Sequence, residues 1–432
     1  MTVDSQAAAS PVRRGVADPL QQAIARATRF LVDRQSPEGY WNGELEADTT
    51  LESDYILFQL WLDRPAPGQP WRPKAAAKVQ EAARYIRERQ TPTGGWNICP
   101  GGPDNLSASV KAYLALKLAG DSPGLPHLRA ARRRILELGG LECANSYTRL
   151  YLSFFGLYDR ARIPSIPPEL ILLEPDAYIN IYEMSSWTRA IVVPLAVLYA
   201  LSPHWPVPAS FTLDELLSHQ PEPPRSGLFW KLDRLVKLWE RTGFFPHRAR
   251  ALRRAEKWIL DRLELSDGLG AIFPSMLNSI LALRELGNSP DHPVLHRAIR
   301  QLEDLVIREN GSLRLQPCFS PVWDTAIAVY ALGLAGAASE PRARAAQWIV
   351  SKEVRRPGDW AIKSPHVEPG GWYFEFANEF YPDIDDTAMV LLALRYAQAP
   401  DREAQGAAER RALDWVLAMQ SGDGGWAAFD KD

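Results

Sequence analysis

The sequence predicts an almost all-α chain built as α/α barrels, with outer amphipathic helices alternating with inner apolar ones. Three observations predict it. An amphipathic helix ending in Gln and followed by a Gly-x-Trp turn recurs along the chain. After each turn comes a second helix that is apolar on most of its sides. Nowhere is the period-two alternation of a strand sustained.

Taken in order, the first copy of the repeat covers residues 29–35 and turns through Gly39, Tyr40 and Trp41. The second covers residues 84–90 and turns through Gly94, Gly95 and Trp96. Recurrence at such spacing marks stacked supersecondary units. In each copy Gly ends the helix and Trp folds back. The Gln amide is suited to satisfying backbone groups of the turn while the indole stacks on it, which staples neighbouring helices together. Residues 107–116 form the first inner helix. Residues 163–175 are a proline-rich connector. The longest apolar run, residues 190–201, contains Pro194 and is too short to span a bilayer.

A proline-rich excursion over residues 202–224 leads into residues 227–239. There Leu228, Leu232, Leu235 and Trp239 share one helical face, flanked by Lys231, Arg234 and Lys237. The stripe suits a helix lying among lipid headgroups, and it equally suits an ordinary surface helix packed on a barrel. A degenerate copy runs from Trp258 to Gly268, Leu269 and Gly270, before an inner helix over 275–283. Residues 324–332 are the next inner helix. A weaker copy joins Gln347 to Gly358, Asp359 and Trp360. The inner helix over 386–394 is apolar on nearly every side, which predicts burial all round. The last copy joins Gln420 to Gly424, Gly425 and Trp426.

Composition narrows the function. The 432 residues are 46% apolar and 23% charged, ample for a core, and the net charge of −3 gives no reason to expect nucleic acid as a partner. Trp, at 15, slightly outnumbers Phe and Tyr at 14 each, so the chain is rich in the aromatic that is usually rarest. Cys99, Cys143 and Cys318 lie far apart, which reads as buried free thiols and fits a reducing compartment. Residues 1–20 contain Asp4 and Gln6 and no apolar core, unlike a signal peptide. No Gly-rich phosphate loop, HExxH or DDxxD motif is present. His292 and His296 read as surface residues, not metal ligands.

The chemistry-bearing feature is the cluster Asp383, Asp385 and Asp386 at the start of the most apolar helix. Crowded carboxylates raise each other's pKa, and burial raises it further. The expected outcome is a neutral carboxylic acid able to protonate a poor base. Helix capping is the alternative reading, because acids favour helix N-termini. Aligning the two inner helices matches Asp386-Thr387 to Asp324-Thr325, so capping accounts for Asp386. The same alignment sets Asp385 against Trp323 and Asp383 against Pro321. No need common to the repeats calls for those two. Asp385 is therefore the expected acid, tuned by Asp383 and Asp386. No metal is expected there.

The Asp-x-Asp-Asp-Thr-Ala pattern at 383–388, together with the Gln and Gly-x-Trp turns, resembles the triterpene cyclases, specifically the squalene–hopene cyclases. The stretches around Trp187, Ser320-Pro-Val-Trp323 and Gly370-Gly-Trp-Tyr-Phe374 carry the same resemblance, which covers the chain after about residue 15. Cyclases of the epoxide oxidosqualene carry Asp-Cys-Thr-Ala instead. Class II diterpene cyclases share the acid motif without this density of turns.

The resemblance implies a monotopic membrane enzyme on the cytoplasmic face of the cell membrane, without a transmembrane helix. It implies two α/α barrels with a cavity between them, and squalene entering from the bilayer. It also implies no cofactor, and it is compatible with a homodimer. Cyclisation would start by protonation of a terminal alkene. The migrating cation would then be met by aromatic faces, each worth roughly 0.5–2 kcal/mol. By similarity, Trp187, Trp323, Phe374 and Phe429 face substrate or cation, Ile272 shapes the cavity, and Tyr147 matches an aromatic position. The chain departs from the family pattern at Phe273, Asn278 and Phe429, which stand where Gln, Tyr and Tyr are found.

Family members continue past the position matching Asp432, so the chain reads as a fragment. The rest would supply further aromatics and a His partner for the acid. The expected division is an N-terminal extension over 1–19, a barrel over 20–318 and an incomplete second barrel over 319–432. That second barrel is expected to expose apolar helix faces. Three rivals remain: another class II, protonation-initiated terpene cyclase acting on a related polyprene; a glycosidase with paired carboxylates, which needs a second acid across a polar cleft; and a helical scaffold binding a partner on its concave face.

Overall fold

A computed structural model describes residues 19–66, 69–208, 211–218, 227–289 and 291–430. Its helices are α1 (Pro19–Asp33), α2 (Thr50–Leu62), α3 (Ala76–Glu88), α4 (Leu106–Leu118), α5 (Pro126–Glu137), α6 (Ser146–Phe154), α7 (Ser186–Leu201), α8 (Leu228–Arg241), α9 (Arg248–Leu263), α10 (Phe273–Glu285) and α11 (Pro293–Glu303). After a short hairpin come α12 (Pro321–Leu334), α13 (Ser339–Ser351), α14 (Ile384–Leu394) and α15 (Arg402–Ala418). The alternation of inner and outer helices is as expected. Helices α2, α4 and α10 bury nearly every residue, whereas α3, α5 and α11 bury one face. The hairpin was not expected. Its strands β1 (Val306–Glu309) and β2 (Ser312–Leu315) pair antiparallel across Asn310-Gly311, both with positive φ. Asn-Gly is the dipeptide that such a tight turn favours.

The repeat turns are hydrogen-bonded staples. In the Trp96 copy, Gln90 Nε2 donates to Gly94 O (2.8 Å) and to His127 O in the first turn of α5 (2.9 Å). The indole Nε1 donates to Ile86 O, and the Trp96 N–H donates to Ser109 Oγ of inner helix α4. One turn thus joins three helices. Gly94 has φ +94°, and a Cβ there would meet the Ala130 backbone at 2.9 Å, so close approach of α5 requires Gly. The Trp41 copy repeats the pattern: Gln35 donates to Gly39 O and Pro341 O, and Trp41 to Leu31 O and Thr325 Oγ1.

These contacts correct the domain boundary. Trp41 and the start of α1's turn bind α12 and α13, and Leu31 and Val32 pack in the core formed by α12–α15. The N-terminal helix therefore belongs with the second unit, not with residues 20–318. The chain closes back because an outer helix needs an inner partner, and α12 supplies one. Residues 1–18 of the expected extension lie outside the described residues.

A second correction concerns the weak copy. The Trp that staples Ile349 is Trp372, not Trp360: Trp372 Nε1 donates to Ile349 O (2.7 Å) and its N–H to Thr387 Oγ1 (2.9 Å). Trp360 instead packs edge-on against Trp415 at 6.0 Å.

The second unit leaves one apolar face open, as expected of it. Ile327, Ala331 and Leu334 line α12, and Asp385, Ala388 and Leu392 line α14, all exposed. Spacings of three, four and seven put each set on one helix face. Burial of α14 on all sides is therefore not observed, because α12 and α15 cover only part of it. The last turn is likewise half built. Gln420 donates to Gly424 O, no second carbonyl acceptor is seen for it among the described residues, and Trp426 is 44% exposed against 1% for Trp96.

Candidate active site

The acid motif sits at the N-terminus of α14. Asp383 is extended (φ −127°, ψ 165°) and caps the helix, its carboxylate accepting the Asp386 N–H at 2.9 Å. Its own N–H donates to Trp372 O (3.0 Å), and Thr387 Oγ1 donates to Asp383 O (2.6 Å). The repeat turn thus fixes the backbone that carries the acids. Capping belongs to Asp383, where the sequence reading gave it to Asp386, because α14 already starts at Ile384 and Asp386 stands inside its first turn.

One oxygen from each of Asp383, Asp385 and Asp386 lies within 4.8 Å of the others. Asp383 and Asp386 are buried. Burial pushes the Asp383 carboxyl well above the ordinary carboxylate range, and the charges of Asp386 and Asp385 add to this. Burial likewise pushes Asp386 up to about 7; Asp385 and Asp324 add to the rise and a hydrogen bond with Asp383 opposes it. Asp386 Oδ1 has no hydrogen-bond partner among the described residues. Protons held this firmly on Asp383 and Asp386 compete with any cation for those two carboxylates.

Asp385 is exposed, which corrects the expectation that it is already dry. The reason is helical geometry: one residue's rotation from Asp386 takes it from the core side to the open side. That side is the apolar face of Ala388 and Leu392, so Asp385 stands at the head of a hydrocarbon-like surface.

The structure assembles two aromatic pairs near the motif. Trp323 and Phe374 lie 6.2 Å apart, both half-buried, with Phe374 O accepting the Val322 N–H. Trp187 of α7 and Phe429 lie 5.2 Å apart. Phe429 reaches the motif through its backbone: Ile384 N donates to Ala428 O and Phe429 O (both 3.1 Å). Ile272 is buried and caps α10 beside Phe273, whose N–H donates to Pro317 O.

Tyr147 is placed elsewhere. It stacks near Tyr151 (5.0 Å) in the interior of the first unit, with the Lys111 ammonium 4.7 Å from its ring. Lys111 pairs there with buried Asp54 at 2.7 Å.

Sequence reasoning missed one group near the motif. Glu375 is buried and, chiefly by burial and then by the charge of Asp386, its carboxyl lies well above its usual range, although Asn378 donates to it. Of the three cysteines expected to be buried only Cys318 is, its thiol pushed up by burial and by Glu375, Asp386 and Asp324, whereas Cys99 and Cys143 are exposed. The available signal was Glu375 beside Phe374, an acid inside an aromatic run.

Comparison with known proteins agrees along the whole chain. The squalene-hopene cyclase N-terminal domain family matches residues 24–311, and the squalene-hopene cyclase C-terminal domain family matches residues 319–432. The chain is 37% identical to the squalene–hopene cyclase of Zymomonas mobilis, covering 96% of this chain and 65% of that protein. It is 34% identical to that of Alicyclobacillus acidocaldarius, covering 95% and 65%. It is also 34% identical to dammaradiene synthase of Dryopteris crassirhizoma, covering 96% and 61%. The chain therefore spans somewhat less than two thirds of the length of these relatives. A solved type II terpene cyclase from Scytonema, MstE, is similar at 15% identity with a TM-score of 0.27, covering 87% of this chain and 96% of that one.

Proposed function

The chain belongs to the squalene–hopene cyclase family, and from that premise we propose that it carries the acid-bearing part of an enzyme that cyclises squalene to hopanoid products by protonation. The observation that carries the reading is the set of three carboxylates at the N-terminus of α14, two buried and shifted upward and one facing an apolar surface. Asp385 is the group a substrate can touch. Hydrocarbon laid on the Ala388–Leu392 face would strip water from it and favour its neutral form. Its O–H proton passes to a terminal alkene carbon, leaving a carboxylate and a tertiary carbocation. Asp383 and Asp386, protonated or nearly so, limit the negative charge next to that carboxylate. The Trp323–Phe374 and Trp187–Phe429 pairs offer π faces to the cation. The cycle closes when the final cation loses a proton or gains water.

Membrane contact is part of the same proposal. Helix α8 is inverted relative to a packed surface helix. Among its described side chains the buried one is Asp233, which accepts the Ser165 N–H at 2.7 Å, while Leu232, Leu235 and Leu238 are exposed, Leu235 at 62%. Phe244 beyond the helix is exposed as well. An apolar stripe turned outward between Lys231, Arg234 and Lys237 suits a lipid surface. The side chains of Leu228 and Phe229 lie outside the described residues. No helix among the described residues is long and apolar enough to cross a membrane.

The test is incubation with squalene of the chain, alone and with the remaining third of a matched relative supplied, followed by product analysis. Cyclised hydrocarbon that disappears in Asp385→Asn supports the proposal. Product that persists in that variant removes the assignment, and sugar hydrolysis in its place favours a glycosidase.

A further inference from the structure

The two units meet at a cluster of four charges outside the acid motif, three of them buried and Asp430 half-buried. Arg189 of α7 is almost fully buried. Its Nη1 donates to Met184 O (2.7 Å), its Nη2 donates to Asp430 Oδ2 (2.9 Å), and its Nε lies 3.2 Å from Asp359 Oδ2. Asp359 also pairs with Arg262 of α9, whose guanidinium lies 4.0 Å from the centre of the Trp258 ring. Two cations come from the first unit and two anions from the second, so the cluster is neutral. Buried pairs of this kind add little stability over apolar packing, and where they are kept, fixing a register is their best-attested use.

What the cluster fixes is a strap. Asp430 ends a segment in which Ala428 O and Phe429 O accept the N–H of Ile384, and Ala428 O that of Asp385 at 3.3 Å. The same segment lays Phe429 on Trp187, two residues before Arg189 on one helix. Without the strap, the first backbone N–H groups of α14 have only water to meet.

We propose that Arg189 is a positioning residue: through Asp430 it holds the 428–430 strap across the N-terminus of α14, and so sets the direction of the Asp385 side chain and the Trp187–Phe429 pair. The catalytic half of this rests on Asp385 being the acid; the strap itself does not. Arg189 acts through Asp430 and touches no reacting atom.

The experiment is amide hydrogen exchange of the full chain carrying Asp430→Asn, which leaves Arg189 paired with Asp359. Losing one charge-assisted hydrogen bond should speed exchange at Ile384 and Asp385 by roughly tenfold or more, with Val390 and Leu394 unchanged. Asp430→Glu should restore protection. With the remaining third of a relative supplied, Asp430→Asn should lower kcat for squalene with little change in KM. Unchanged exchange at 384 and 385, or equal acceleration along all of α14, overturns the strap. Faster exchange with normal turnover overturns the positioning role. Faster exchange in Asp430→Asn while Asp385→Asn still cyclises squalene would mean the strap is real and the acid lies elsewhere.

Discussion

Helices α12 and α14 enter the second unit by the same device and end with different chemistry. Trp41 N–H meets Thr325 Oγ1 at 2.9 Å, and Trp372 N–H meets Thr387 Oγ1 at 2.9 Å. Each Thr follows an Asp. Asp324 spends its carboxylate on Gly43 N–H and Ser320 Oγ, both at 2.7 Å, and so secures a turn. Asp386 sits at 2% exposure with one oxygen unpartnered and two more carboxylates within reach. Asp324 is half-buried, and two donors on its Oδ2 make it a structural part. Burial that leaves one oxygen of Asp386 unpartnered favours its protonated form, which limits the charge beside the exposed Asp385.

The comparison breaks most visibly in turnover. Asp385→Asn should reduce squalene cyclisation by on the order of 10²–10⁴, the usual reach of general acid catalysis, whereas Asp324→Asn should leave the chemical step intact. Loss of activity in both, measured by product formation in the completed enzyme, would erase the distinction drawn between the two helix starts.

Next in size is a pH effect. Asp386 is pushed from its ordinary range up to about 7, so the folded chain keeps a proton that the unfolded chain releases above about 4. Stability should therefore fall as pH rises from about 4 to about 7 and level off beyond, by roughly 4 kcal/mol from this group. Asp386→Asn should flatten that slope and gain most at the upper end, as read from denaturant midpoints across the range. Asp324→Asn should leave the slope in place.

Smaller effects sharpen the shared part of the device. Thr325→Val and Thr387→Val each strand a buried Trp N–H and should each cost about 1–3 kcal/mol. Clearly unequal costs would mean that the two turns are not equivalent. Asp324→Asn, which keeps one acceptor oxygen, should cost about 1 kcal/mol in thermal or chemical unfolding.

Helix pairing and the acid cluster were legible in the sequence because both are local. Gln90, Gly94 and Trp96 lie within one turn and its helix, and their bonds are made within that stretch and to the next two helices, α4 and α5. The placement of α1 was not legible, because its partner Thr325 is 284 residues away. Trp372 was passed over for Trp360 because an insertion lengthens the turn: its Nε1 bonds a carbonyl 23 residues back, where Trp41 and Trp96 reach back 10. Both candidates follow a Gly, and spacing alone favoured the wrong one. The capping exchange between Asp383 and Asp386 turned on where α14 starts, its cap lying three residues before the one the sequence suggested, and a helix boundary is the least determined feature of a periodic pattern. Glu375 escaped notice because burial, not sequence context, raises its pKa. Of the aromatic positions, Trp187, Trp323, Phe374 and Phe429 come together in two pairs near the motif, and Tyr147 stands in the first unit beside a Lys–Asp pair that no periodicity announced.

The most direct test reads the proton itself. Infrared spectra of the chain with ¹³C-labelled aspartate, taken at a pH below the value to which Asp386 is pushed, should contain a protonated-carboxyl C=O band that vanishes from the difference spectrum when Asp383 and Asp386 are both replaced by Asn. A wild-type spectrum indistinguishable from that double variant in this region would show these side chains ionised, and the acid proposed at the head of α14 would have no protonated neighbours to shape it.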